Sequence, residues 1–459
     1  MSKILAIDLG TSYLKFALFD RTGRLCDVCR LAPPVQAAEP GRVEIPAEKF
    51  HEALAAGIAE LRGRDDCRLA DLEAVTFATQ TNSFVLLDAA DCLLTPIILW
   101  SDRRGEHLEA EVRRRCALPN FAATTGIPQV TWQFMLAKLL WLQRHASRDW
   151  GQIRRLCLIS DYLTLCLTGR HVTEAGAAGL TGLVDIHRCQ WWPDMLAAFH
   201  LSPQCLPAIV RAGTDLGPID PHAAGRLGLP ASCRFIVGCL DQYAGAIGVG
   251  NVEAGGFSET TGTVLAMVQC ADRFSTQLGP AVFQGPAHDE GFYWRMTFSD
   301  VSANYLQWYR DQLPDRPDFD RLLDLAEAVP PGTPGLRLKR EAGLTRLEEI
   351  FEGLTPQHTP GQIVRCILET VAAELAEQMT CLSPGIRPES VRCAGGGARS
   401  DLWLQIKADR LGVPTAATQS PEPTSLGAAV LAEAALRGTD LREIAAQWIH
   451  LGPMHWPNK

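Results

Sequence analysis

Asp8 closes the apolar run Lys3-Ile4-Leu5-Ala6-Ile7, and Asp241 stands just past Phe235-Ile236-Val237-Gly238. A carboxylate at a strand end can hold a magnesium ion through water, or accept the proton of an attacking hydroxyl. Each has a structural alternative: Asp8 as a buried, satisfied aspartate, and Asp241 as the cap of the Gly/Ala-rich helix that follows it. Two hydroxyl-glycine turns accompany these acids, Gly10-Thr11-Ser12 and Thr261-Gly262-Thr263. Small residues in a hairpin turn leave N–H groups free to cradle phosphate oxygens, and the hydroxyls of Thr11, Ser12, Thr261 and Thr263 can add to them. Gly395-Gly396-Gly397 lets the backbone approach a planar ring or a phosphate, or is simply a tight strand-to-helix turn. One such turn is usually only a turn. Two at equivalent places, with a glycine platform, describe a triphosphate clamp. Nothing matches GxxxxGK(S/T), and Gly245-x-x-Gly248-x-Gly250 lacks the order of a dinucleotide fingerprint, so neither a P-loop nor a Rossmann site is expected.

The elements that must position these residues follow from pattern. Lys3–Leu9 reads as a strand, and Leu14-Lys15-Phe16-Ala17-Leu18-Phe19 returns as a second, closed by Asp20-Arg21-Thr22-Gly23. A helix is expected from about Pro46 to Leu61, then strands over 74–78 and 83–87. The stretch from about Phe134 to His200 is Trp-rich and reads as helical, in the manner of a cap or insertion. Phe257 to Val268 repeats the opening: apolar residues, an acid or hydroxyl, a glycine-threonine turn, apolar residues. This weak internal repeat implies two halves of similar architecture facing each other, with a boundary between residues 238 and 256. We place the domains at 1–240 and 241–459. Thr359-Pro360-Gly361-Gln362 is a capping box with proline at the first helical position. Behind it Ile363, Val364, Ile367, Leu368, Val371, Ala372 and Leu375 recur at helical spacing. Val391–Ala394 reads as a strand feeding the glycines, and a helix from about Ser400 ends at Gly412 before Pro414.

Composition bounds the function. At 459 residues the chain is long enough for two domains, and 47% hydrophobic with 21% charged residues is a globular balance. A net charge of −9 argues against a nucleic-acid partner, which needs a basic stripe. Fifteen scattered cysteines do not resemble a disulfide framework, and Cys26-Asp-Val-Cys29 is a lone CxxC without a second ligand pair. A reducing cytoplasm is the expected location. No signal peptide is read at the N-terminus, and no stretch approaches the roughly 20 apolar residues of a spanning helix.

Six motifs then carry a resemblance. Asp8-Leu-Gly-Thr-Ser, Trp100-Ser-Asp102-Arg103-Arg104, Asp161-Tyr162-Leu163 through Leu167-Thr168-Gly169, Leu240-Asp241-Gln242, Thr261-Gly262-Thr263, and Gly395-Gly-Gly with Ser400 through Ser425-Leu-Gly427 together resemble the FGGY carbohydrate kinases in order and spacing. The resemblance implies an α/β fold of two ribonuclease-H-like domains of the actin type, with a nucleotide cleft between them. It also implies ATP and Mg²⁺ as cofactors, with the γ-phosphoryl group passing to a hydroxyl of a small sugar. By position, Asp8 would be the metal-associated acid, and Gly10, Thr11 and Ser12 the first phosphate turn. Thr261, Gly262 and Thr263 would form the second turn, while Gly395, Gly396, Gly397 and Ser400 border the adenosine. Asp241 would be the catalytic base, with Gln242 beside the substrate. Gln80, Thr81, Asn82, Trp100 and Asp102 would complete the sugar side.

Two departures bear on substrate. After Gln80, xylulose kinases usually place Met-His and glycerol kinases Arg-Glu, whereas this chain has Thr81-Asn82. Where relatives carry a Gly-Glu-Arg-x-Pro stretch, it has Leu336-Arg-Leu-Lys-Arg340-Glu-Ala-Gly-Leu. The expected substrate is a ketopentose such as xylulose. The alternatives are a polyol or sugar-acid kinase of the same family, and a non-catalytic nucleotide-binding regulator of the actin type, against which Asp241 speaks. The resemblance leaves room for a homodimer and gives no reason to expect a membrane partner.

Overall fold

The computed structural model describes residues 2–37, 39–64, 69–146, 150–340, 344 and 346–458. Its first half is built on a seven-stranded sheet in which Lys3–Leu9 lies at the centre. This strand pairs antiparallel with Leu14–Asp20 through the hairpin and parallel with Leu72–Thr79 on its other side. All seven residues of Lys3–Leu9 are buried, as expected of a central strand covered on both faces. The second half repeats the plan. Phe257–Thr261 pairs antiparallel with Leu265–Ala271 and parallel with Val391–Gly395. Outside these, Leu25–Leu31 and Tyr293–Ser299 occupy matching antiparallel positions, and Arg234–Ile236 and Thr415–Ala417 matching parallel ones. The repeat read from two turns is thus a repeat of five strands. These are the two ribonuclease-H-like halves that the motif resemblance implied.

Helices cover the sheets where the pattern places them. Ala47–Arg62 turns Phe50, Leu54, Ile58 and Leu61 into the first core. Pro360–Leu382 begins with the expected box: Thr359 accepts from the Gln362 backbone N–H, and the Gln362 side chain returns to the Thr359 N–H. The two halves share a third core. There Ile4, Ala6, Ala17 and Ala78 of the first sheet meet Tyr243, Ala244 and Ile247 of the helix Asp241–Gly248, and Leu426, Val430 and Leu431 of the helix Pro423–Arg437. These two helices cross at glycine. A Cβ on Gly427 would lie 1.8 Å from the Ala244 carbonyl oxygen, and one on Gly248 1.8 Å from that of Pro423. Close approach of backbones, rather than positive φ, explains both residues.

One expectation needs correction. The stretch 134–200 is mixed, not helical throughout: helices Met135–His145 and Ile159–Thr168 flank the strand Arg155–Leu158, which pairs with Phe84–Leu87 in a separate four-stranded sheet. A four-residue apolar run gives no period with which to tell strand from helix. The glycine platform is no plain turn, because Gly395 ends a strand and Gly396–Arg399 makes one turn of 3₁₀ helix. The loop substituted for Gly-Glu-Arg-x-Pro falls partly outside the described residues; within them Arg337–Leu338 forms a short strand, and Arg340 pairs with Glu374 and Glu377. The lone CxxC lies on strand Leu25–Leu31, whose pairing shifts register at Cys26, and both cysteines pack against the first core. No cluster of three His, Cys, Asp or Glu residues suited to a metal occurs among the described residues.

Candidate active site

Asp8 and Asp241 converge because of sheet register. Asp8 and Cys239 flank the same residue, Ala78, from the two neighbouring strands, and Leu9 and Leu240 likewise flank Thr79. The chain then leaves the sheet into the helix whose first residue is Asp241. Leu240, not Asp241, precedes that helix, and among the described residues the Asp241 Oδ1 accepts only the neighbouring Gln242 N–H at 2.7 Å. The capping alternative therefore does not account for this carboxylate. Burial, together with the charge of Asp8, pushes its pKa up to about 7. Burial likewise raises Asp8 to about 6, against the pull of Lys15.

Lys15 is a site residue that motif reading missed. Its ammonium lies 3.4 Å from Asp8 and 3.0 Å from Glu422, and Glu422 also pairs with Arg30. Glu422 immediately precedes the helix Pro423–Arg437, so this chain of charges joins the first sheet to the second half. The signal was present in the hairpin: Leu9 faces Leu14, so Asp8 must face Lys15.

The two turns differ in what surrounds their glycines. A Cβ on Gly10 would press to 2.8 Å of the Tyr13 carbonyl oxygen, whereas Gly262 and Gly396 each face open space. The Gly262 carbonyl is tied down by the Ser302 hydroxyl at 2.7 Å and the Ala303 N–H at 3.1 Å. Gly395, at φ +82°, and Gly397 both lie so near Thr261 that a side chain on either would collide with it. Ser400 accepts from the Trp403 N–H and so starts the helix Asp401–Leu411.

The remaining predicted residues divide by whether their polar atoms are already used. Gln80 donates to the Leu9 carbonyl at 3.2 Å and accepts from Ser83, tying the sugar-side loop to the first turn. The Thr81 hydroxyl donates to Ala177 O, leaving its lone pairs free. Asn82, at φ +62°, spends both ends of its amide, donating to Leu180 O and accepting from Met135 N–H. Asp102 is fully buried and saturated by the Val43 N–H and by Arg104. The Thr261 hydroxyl is consumed in the interior, so that turn offers backbone and Thr263 rather than the Thr261 side chain. These three groups fix architecture. Among the described residues, Ser12, Thr263, Gln242 and the second oxygen of Asp241 keep polar atoms with no protein partner. Trp100 links both sides, since its indole N–H donates to Thr11 Oγ1 at 3.0 Å.

Lys138 holds that tryptophan from below. Fully buried, it donates to the carbonyls of Trp100 at 2.6 Å, Gln133 at 2.7 Å and Trp132 at 3.0 Å. Lys138→Met would leave all three without this donor, at roughly 1–3 kcal/mol for each buried group. A fall of about 5 °C or more in the melting temperature is expected by calorimetry.

The arrangement fits a metal-bound triphosphate. A buried and a half-buried carboxylate, Asp8 and Asp241, favour an incoming cation, and one or two acids with phosphate oxygens and water suffice for magnesium. Comparison with known proteins agrees with the geometry. The model of the FGGY carbohydrate kinase N-terminal domain matches residues 3–248, and that of the C-terminal domain residues 260–436. The xylulose kinase of Escherichia coli K12 is 30% identical over 447 residues, covering 94% of this chain and 90% of that protein. The L-fuculokinase of Salmonella typhi is 27% identical over 448 residues, covering 93% and 91% respectively. The solved, ligand-bound xylulose kinase of Lactobacillus acidophilus superimposes with a TM-score of 0.90 at 24% identity, covering 100% of this chain and 94% of that one, and so shares the fold. With both halves matched, this chain belongs to the FGGY family of carbohydrate kinases and uses ATP as its phosphoryl donor.

Proposed function

We propose that the chain phosphorylates a hydroxyl of a ketopentose such as xylulose, with Mg²⁺ accompanying ATP and Asp241 as the catalytic base. The observation that carries the role of Asp241 is its uncommitted oxygen at the strand end beside Asp8. When bound, ATP supplies the phosphoryl group and Mg²⁺ neutralises part of its charge. The protein's share is positioning. Backbone N–H groups of Gly10–Ser12 and Thr261–Thr263 would hold the phosphates, the platform Gly395–Gly397 with Ser400 would border the adenosine, and Asp8 would hold the metal. Gln242, Thr81 and the Trp100 ring hold the sugar, on a loop that Gln80, Asn82 and Asp102 keep rigid. Asp241 accepts the hydroxyl proton late, as a loose phosphoryl-transfer transition state requires.

A base with a pKa of about 7 dictates the pH profile. It works only when deprotonated, so kcat/KM is expected to climb with pH and level off above about 7. Initial rates from pH 5.5 to 9 measure this; a profile that falls over that range would remove Asp241 from the role.

The ketopentose reading is supported by the E. coli relative named for xylulose. Thr81 and Asn82 favour a departure from it, toward a polyol or sugar acid. Coupled ADP-release assays over pentuloses, hexuloses, aldonates and polyols decide. The largest kcat/KM is expected for a pentulose, and a higher value for any other class would replace the substrate assignment.

A further inference from the structure

Beneath the second turn lies an ion pair that solvent does not reach. Lys407 Nζ is 2.7 Å from Glu259 Oε1, and both side chains are 0% exposed. The Thr261 hydroxyl closes the group, donating to Glu259 Oε2 at 2.6 Å and accepting from Lys407 at 2.9 Å. Burying such a pair costs more desolvation than it commonly returns, and apolar residues of similar volume often serve stability as well or better. Its position suggests another use. Glu259 and Thr261 share one face of the strand Phe257–Thr261, and across the parallel pairing they stand opposite Cys393 and Gly395. Lys407 comes from the helix that follows the glycine platform. Thr261 is therefore gripped on two sides: its main chain and Cβ support Gly395 and Gly397, and its hydroxyl is clamped by the ion pair.

We infer that Glu259 and Lys407 are positioning residues for the nucleotide, fixing the distance and tilt between the Thr261–Thr263 turn and the Gly395–Gly397 platform. Neither touches the ligand. They set Thr261, and Thr261 sets both surfaces that the ligand spans. The inference rests on Thr261–Thr263 being a phosphate turn, as proposed above.

The double variant Glu259→Leu/Lys407→Met tests it, because it removes the pair without stranding one charge. The Thr261 hydroxyl loses both partners, so the double variant's melting temperature is expected to fall modestly, and Lys407→Met alone, which strands the Glu259 charge, melts lower still. Titration calorimetry with ADP should show affinity weakened on the order of tenfold, since small misplacements of binding groups are costly. KM for ATP should rise in parallel, with KM for the sugar unchanged. Thr261→Val serves if the double variant does not fold, since it keeps the ion pair and removes only the hydroxyl link; weaker ADP binding is again expected. Wild-type ADP affinity and ATP KM in the folded double variant, or in Thr261→Val where the double does not fold, overturn the inference. Gly262→Leu separates this failure from failure of the turn assignment. Its side chain enters the open space over the turn, so it should abolish ADP binding if phosphates lie there. Undiminished binding would instead refute the turn itself.

Discussion

Asp241→Asn is expected to lower turnover on the order of 10²–10⁴-fold while leaving ATP affinity intact and raising thermal stability at alkaline pH. The amide keeps the shape of the carboxylate and cannot take a proton, so chemistry suffers and binding does not. The stability gain follows from linkage. The folded protein holds the Asp241 pKa at about 7 against an ordinary 3.8, so it binds a proton between those values that the unfolded chain releases. Stability from this group is complete below about pH 4 and is lost as pH rises through about 7. At pH 8 the wild type carries a poorly solvated charge close to Asp8 that the amide avoids. Melting curves should nearly coincide at pH 4 and separate by at least about 2 °C at pH 8, with the variant higher. Asp8, raised to about 6 in the same way, adds to the pH slope of both proteins. Equal melting temperatures at pH 8 would show that Asp241 is not burdened by its surroundings.

Gly427→Ala is expected to cost about 3 kcal/mol or more, the upper end of overpacking. The new methyl would lie 1.8 Å from the Ala244 carbonyl oxygen and 2.8 Å from the Gly248 nitrogen. Both are backbone atoms of a buried helix, so no side-chain rotation relieves the clash; the helices must part. Since they form the seam between the halves, the expected signature is a lower melting temperature together with impaired closure of the cleft. Gly225→Ala is the control. It lies in the helix Pro221–Leu227 with open space where its Cβ would stand, and should be neutral or gain about 0.4–1 kcal/mol. A Gly427→Ala protein melting like the wild type would contradict the close crossing.

Much of this fold is legible in the sequence because hairpins and caps are local. The strand-turn-strand at residues 3–19, its echo at 257–268 and the box at Thr359 each depend on a few adjacent residues, and the structure reproduces them. The placement of the two acids was legible for the same reason, since each follows a short apolar run. What stayed hidden are buried groups whose partners come from distant segments. Lys138 and Lys407 are cations by composition, and a reading by residue type puts them in solvent. Yet Lys407 follows Trp403 and precedes Leu411 by four residues each, on a face whose neighbours are apolar. That spacing was the available signal. Asn82 shows the converse difficulty. A polar residue beside the sugar loop invites a ligand, but its left-handed backbone and two saturated amide ends make it a brace.

Asp241 is proposed to meet a sugar hydroxyl opposite a phosphate held by two turns. A crystal structure with a non-hydrolysable ATP analogue and xylulose, or the sugar that the panel selects, would show whether it does. One sugar hydroxyl is expected within about 2.6–3.2 Å of the Asp241 carboxylate, with the terminal phosphate between Gly10–Ser12 and Thr261–Thr263. A sugar bound out of reach of Asp241, or a phosphate resting on neither turn, would contradict the proposal.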